Sequence, residues 1–377
     1  MTLRRSASIA AAWLASALLA GCSSWFGPDK PKPKPLAPIS AQIAAKTVWN
    51  QRIEGVQFPL AVAVNGGVFT VAGSDGTVLA LQADSGAEVW RANVGAKLSA
   101  GVGSDGRIAA VATRAGDIVA IEQGRVLWRM PVATRVTTPP LVAGERVFVL
   151  GVDRRVTAFD AQSGAQLWSV QRPGDPLTLA QAGVVSAFKN TLLVGQGARL
   201  AGLDPANGAV RWEVTMASPR GTNEVERLAD LVGPATRVGD VVCARAFQSA
   251  VSCSNAERGA LLWTKNTGGV NGVAADNQFV TGADASDRIT AWKAENGDTA
   301  WNSEALQNRG LSAPALLGRS VVFGDAEGTL HFLSRDKGEA LLRLPTDGSA
   351  VVAAPALSGT TMLVVTRNGG LFAIRPE

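Results

Sequence analysis

The 377-residue sequence contains no Tyr, one His, three Cys and four Met. A single His leaves no second imidazole for a His-based zinc site, and no His-centred triad is legible around it. His331 lies in an alternating apolar stretch and reads as a barrel or surface side chain. Three Cys are too few for a disulfide-built scaffold. Past the N-terminus no apolar run reaches about 18 residues, which excludes a multi-span helical membrane protein. Charge is also sparse: 18% of residues are charged, 46% are apolar, and the net charge is +5. So apolar a chain with so little net charge is not disordered. The small basic excess gives no electrostatic footprint for nucleic acid. No Gly-rich phosphate loop stands between a strand and a helix, and acids such as Asp105 and Asp325 stand beside Gly in turn positions.

What the sequence has is Gly, 41 of them, set in a repeat. A Gly-x-x-x-Trp frame recurs at Gly86/Trp90, Gly124/Trp128, Gly164/Trp168, Gly208/Trp212, Gly259/Trp263 and Gly297/Trp301, and Gly338/Leu342 keeps the frame without the Trp. Before each Gly runs an alternating apolar segment, such as Thr77–Leu81, Asp117–Ile121, Arg155–Phe159 or Thr329–Leu333. Period-two alternation over four to eight residues predicts a strand, and the Gly supplies the positive φ of the turn after it. Two further strands precede each of these, giving four strands in about 40 residues, the arithmetic of a propeller blade. Residues 47–53, with Trp49 in the Trp position, read as a lone fourth strand, while Ala353–Arg375 supplies three strands and stops. Joined, they complete a blade and close the ring without a free edge. Fourth strands at 49, 90, 128, 168, 212, 263, 301 and 342 predict an all-β, eight-bladed β-propeller of four-stranded antiparallel blades. The repeating Trp residues are expected to pack between neighbouring blades.

The N-terminus reads as an address. Arg4 and Arg5 precede an apolar stretch, Ala10–Ala20, and then Gly21-Cys22-Ser23. Small residues running directly into Cys resemble a bacterial lipobox. The resemblance implies cleavage after residue 21, acylation of Cys22 and sorting to the outer membrane. More than one acyl chain makes anchoring stable. Removing residues 1–21 leaves 34 basic against 31 acidic side chains, a balance of +3. Residues 22–45 hold a Lys-Pro-Lys-Pro run that favours an extended conformation and reads as a solvated tether. The expected organisation is a signal peptide over 1–21, lipidated Cys and tether over 22–45, and the propeller over 46–377.

The blade sequence Ala158–Trp168 resembles the repeat of pyrroloquinoline-quinone (PQQ) dehydrogenases, and Ala201–Trp212 does too. The repeat is a folding motif and carries no function by itself. Those enzymes bring an adjacent Cys pair and carboxylate calcium ligands near the ring axis, and this sequence shows neither an adjacent Cys pair nor acids spaced for calcium. The lipobox, tether, eight blades, closure and the segment Thr222–Asp230 together resemble the BamB family of outer-membrane assembly lipoproteins. That resemblance implies a non-catalytic scaffold without cofactor or metal, anchored by lipid at the periplasmic face of the outer membrane. The implied partners are the POTRA domains of BamA, other BAM subunits and unfolded outer-membrane clients, with no nucleic acid. A periplasmic PQQ-dependent dehydrogenase and a propeller adaptor for another envelope complex are the alternatives.

The repeat spacing points to a surface independently. Successive Trp positions are separated by 41, 38, 40, 44, 51, 38 and 41 residues, and the surplus in the longest interval falls in Met216–Leu231. Long loops inside a compact domain are usually functional. Val225, Leu228 and Leu231 at spacings of three predict a short helical turn, in which Glu226 and Asp230 would repel and Arg227 would offset one of them. The preceding link, Gly174–Ala180, is also lengthened. Family members resemble the chain here with a Leu-x-Leu-Arg segment, which Leu177 and Leu179 match while Ala180 replaces the Arg. Their Asp-x-Asp pair is matched at Asp230 alone, Val232 taking the second place. The resemblance implies BamA contacts at Leu177, Leu179 and Asp230, helped by Arg227. Cys243 and Cys253 flank what reads as a hairpin turning near Gln248, and equal offsets make them a candidate disulfide if their Cβ separation suits.

Overall fold

A computed structural model describes residues 31–174, 177–219 and 222–377. Cys22 and residues 1–21, expected to be a signal peptide, lie outside the described residues. Residues Lys34–Glu377 form one compact unit. Among the described residues there are eight four-stranded antiparallel sheets, seven of them in simple meander order. Seven are continuous in sequence: blade 1 spans 63–93, blade 2 98–131, blade 3 141–171, blade 4 185–215, blade 5 231–266, blade 6 274–303 and blade 7 315–345. Blade 8 takes three strands from 356–376 and its outer strand from Ala45–Arg52. That outer strand pairs antiparallel with the last strand, from Ala45 opposite Pro376 to Arg52 opposite Gly370. The ring is an eight-bladed β-propeller closed between its first and last strands, with the strand phase that the alternation predicts.

The repeat explains how blades stack. The Trp of each fourth strand stands opposite a small residue of the third strand: Trp90 opposite Ala80, Trp128 opposite Ala120, Trp168 opposite Ala158, Trp212 opposite Gly202. The indole then reaches the next blade. Trp128 Nε1 donates to Ala161 O at 2.8 Å, Trp168 to Pro205 O at 3.0 Å, Trp263 to Ala294 O at 2.8 Å and Trp301 to Arg335 O at 2.8 Å. The ring lies flat on that blade's turn Gly. At Gly164, with φ of 75°, a Cβ would come within 2.7 Å of the Trp128 ring. Blade 7 departs from the pattern and compensates. Leu342 replaces the Trp, and Phe332 stands opposite it where the other blades have Ala, Gly or Cys. The large and small partners have changed places, which keeps the volume of the pair.

The first strands and the links leading into them line a central funnel of about 1330 Å³. Its wall is mostly Val, Ala, Pro and Leu, with Asp287 and Arg367 the charged residues lining it. Asp287 accepts from the Gly310 N–H at 2.7 Å and the Leu311 N–H at 3.1 Å, and burial pushes its carboxyl above the usual range despite those bonds.

The compact unit begins twelve residues before the expected boundary at 46. Lys34 N–H donates to Gln307 O at 2.9 Å, Arg309 donates to Lys34 O at 3.3 Å, Arg343 to Ala37 O at 2.6 Å, and Gln42 N–H to Leu341 O at 2.8 Å. Leu36 and Ile43 pack on the cores around blades 6 to 8. Residues 34–44 are therefore a strap along the propeller rather than solvated tether, because an extended chain with its carbonyls free can be held by Arg side chains. The Arg that holds it is itself anchored. Arg309 Nε donates to Asp325 at 2.8 Å, and His331 Nε2 lies 2.9 Å from the same Asp325 oxygen. Asp325 and His331 are essentially inaccessible to solvent, so His331 is a core residue. Alternation alone could not separate that from the barrel-or-surface reading.

Candidate functional site

The lengthened links lie together. One runs from blade 3 to blade 4 through residues 172–184, the next from blade 4 to blade 5 through 216–230. Asp230 joins them: one carboxylate oxygen accepts the Leu179 N–H at 2.8 Å, and the other lies 3.8 Å from an Arg154 nitrogen. The Asp230 carbonyl accepts the Phe247 N–H at 2.9 Å, which holds its backbone to blade 5. Thr178 Oγ1 donates to Val152 O at 2.9 Å. With 177–179 pinned on both sides, the Leu177 side chain is 40% exposed. Leu179 is half-buried and borders a cavity of about 50 Å³ with Arg154, Gln181, Gln196 and Asp230. That space admits a few waters and is far below the several hundred Å³ of a small-molecule site.

The 222–230 segment contains one turn, not a helix. Arg227 N–H donates to Asn223 O and Leu228 N–H to Val225 O, both at 3.2 Å. Asn223 Oδ1 caps the Glu226 N–H at 2.9 Å. The Glu226 carboxylate turns back to accept from the Thr222 N–H at 2.7 Å, and hydrogen bonds from Thr222 hold its carboxyl below the usual range. The expected repulsion between Glu226 and Asp230 does not arise, because the turn ends before Asp230 and each acid has its own donors. Arg227 is half-buried on the turn and pairs with no acid among the described residues. Val225, 70% exposed, is the most exposed large apolar side chain of the described residues. The spacing of three that Val225 shares with Leu228 and Leu231 does not bury it: Val225 stands out from the turn while Leu228 is half-buried and Leu231 buried.

Cys243 and Cys253 face each other on the second and third strands of blade 5 and are joined, with a Cα separation of 4.1 Å. The hairpin turns through Gln248 at a φ of 50°. Neither Cys lines the funnel. Among the described residues no group of three His, Cys, Asp or Glu is arranged to hold a metal ion, and no helix is long and apolar enough to cross a membrane.

Two charged centres had no signal in the sequence. The first is the cluster of Arg309, Asp325 and His331. The second is Arg245, inaccessible to solvent, which donates to Thr267 O at 3.2 Å, Gly268 O at 2.9 Å and Ala283 O at 2.9 Å. Burial pushes its guanidinium down to about 10. At Gly269 and Gly282 a Cβ would come within 3 Å of that guanidinium, a reason for glycine that only the fold reveals.

A family model described as "Outer membrane protein assembly factor BamB" matches residues 74–303. An outer membrane protein assembly factor BamB from Burkholderia pseudomallei is 37% identical over all of this chain and 99% of that protein. The chain belongs to the BamB family. The structure of BamB from Moraxella catarrhalis superposes with a TM-score of 0.81 at 22% identity, covering 88% of this chain and all of that one. A quinohemoprotein alcohol dehydrogenase from Comamonas testosteroni also superposes, at a TM-score of 0.67 with 16% identity, over 88% of this chain and 76% of that one. At that identity the likeness is of fold alone. In this chain the bond from the Leu179 N–H to Asp230 ties together two loops whose joined residues are 51 positions apart.

Proposed function

We propose that the chain is a non-catalytic scaffold of the outer-membrane β-barrel assembly complex. In this reading Cys22 carries the lipid anchor at the periplasmic face of the outer membrane. The joined links of blades 3 to 5 dock on the POTRA domains of BamA, alongside other subunits and unfolded barrel clients. One observation carries the reading: in a BamB-family chain, Asp230 clamps the 177–179 backbone while Leu177 stays exposed. A few anchors that become fully desolvated carry most of the energy of a protein interface, and a pinned backbone lowers the ordering cost of presenting one. Leu177 is then the anchor, and Asp230, engaged inside the propeller, shapes the loop.

A quinoprotein activity has only the fold in its favour. The funnel's acid, Asp287, is taken up by two backbone N–H groups, and the bonded Cys pair sits in the middle strands of blade 5.

The test is affinity for the BamA periplasmic domains. Leu177→Asp should weaken it about tenfold or more, the scale of an interface anchor, with thermal unfolding unchanged. Leu179 is a poorer probe, because a carboxylate there would face Asp230. Unaltered binding by Leu177→Asp rejects the docking surface, and an unrelated envelope protein co-purifying in place of BamA rejects the function.

A further inference from the structure

We infer that Arg154, on the turn between the second and third strands of blade 3, is a positioning residue for the docking loop. The inference rests on the reading of Leu177 as a partner anchor. Segment 177–180, Leu-Thr-Leu-Ala, carries no cation of its own, yet Asp230 beneath it is a largely buried carboxylate with a side-chain exposure of 16%. Arg154 brings the positive charge from another blade. Its side chain is only 12% exposed, with Nη2 at 3.8 Å from Asp230 and at 3.5 Å from the Leu177 carbonyl oxygen, to which it donates a long hydrogen bond.

The site is built to receive this guanidinium. Arg154 adopts a φ of 65°, its N–H closing the turn onto Gly151 O at 3.0 Å. Its head passes over Gly197 and under Gly174. A Cβ at Gly197 would stand 2.9 Å from Nη1, and one at Gly174 2.7 Å from Nε. The guanidinium therefore contacts the blade 3 to 4 link, the blade 4 turn and the blade 5 entry at once. It holds the Leu177 carbonyl, while the carboxylate it faces holds the Leu179 N–H. Both ends of the Leu177–Leu179 backbone are fixed by this one ion pair, and Leu177 points outward as a consequence. A Lys, with a single compact ammonium group, could not span the carbonyl and the carboxylate in the same way.

The experiment uses the full chain with Arg154→Met, Leu177→Ala and the double variant, read by affinity for the BamA periplasmic domains and by amide hydrogen exchange of the 177–179 segment. Arg154→Met should speed exchange there and weaken binding about tenfold. In the Leu177→Ala background it should add less than about twofold, since groups acting through one contact are not additive. A general loss of structure would instead lower affinity in both backgrounds. Unchanged exchange at 177–179 in Arg154→Met, or effects of the two single variants that multiply, overturns the role of Arg154. Wild-type affinity in Leu177→Ala overturns the docking reading, and with it the presentation of Leu177.

Discussion

At the residue scale the propeller rests on a few large-to-small pairs repeated around the ring. Gly164 shows why its kind recurs: it turns the chain at positive φ and also lies under an indole. Gly144 has the same kind of φ, 57°, with nothing within 4 Å of where a Cβ would be. The two separate strain from crowding. Gly144→Ala should cost about 1 kcal/mol, the backbone contribution alone. Gly164→Ala must also displace Trp128 and its 2.8 Å bond to Ala161, and should cost about 2–4 kcal/mol by denaturant unfolding. Equal losses would mean that the indole is free to move and that blade contact does not depend on it. Blade 7 obeys the same rule inverted, with Phe332 filling the space its neighbours give to Trp.

At the element scale the strap of residues 34–44 and the hairpin of blade 5 are each held by one local device. The strap depends on Arg309, which depends on Asp325. Burial raises the Asp325 carboxyl, but hydrogen bonds from His331, the Thr329 N–H and Arg309 outweigh it and leave it below the usual carboxylate range. A carboxyl lowered in the folded state contributes stability that is complete above its unfolded value near 4. That stability disappears as pH falls through the folded value. Asp325→Asn should therefore destabilise the chain by about 3–5 kcal/mol at neutral pH, since Arg309 and His331 lose a buried partner. Its deficit against wild type should shrink below about pH 4. A deficit independent of pH would remove ionisation from the explanation. In the hairpin, Cys243 and Cys253 close a loop already closed by strand pairing. Reduction should then lower the unfolding midpoint by only a few degrees, about 1–2 kcal/mol, below the usual value for a disulfide.

At the scale of the whole molecule the determining contact is closure. Blade 8 takes its outer strand from Ala45–Arg52, so the ends of the propeller hold each other and remove two free edges. A chain lacking 45–52 exposes the last strand along its length and leaves Gly86 without the Trp49 ring that covers it. It should unfold well below the intact protein and self-associate, seen as a concentration-dependent sedimentation profile. A monomer of unchanged stability would show that the ring does not need its closure. The proposed docking surface belongs to this scale as well. It draws on blades 3, 4 and 5, and no single blade contains it.

The periodicity of the sequence by itself determined the class, the blade count, the strand phase and the closure, because each blade repeats the same local physics: alternation, a turn Gly and a Trp. The interval of 51 residues located the exceptional loop for the same reason, as a break in a regular count. Sequence placed Leu177, Leu179 and Asp230 in two segments, and only the fold bonded those segments to each other. It also supplied what no pattern carries: Arg154 reaching Asp230 from another blade, Arg245 on three backbone carbonyls, Asp325 joining Arg309 to His331, and the strap lying down at Lys34. These contacts are made by side chains whose spacing follows no period. Tertiary packing selects their partners: Arg154 meets Asp230 across blades, and Asp325 meets His331, six residues on, because the turn and strand of blade 7 fold them together.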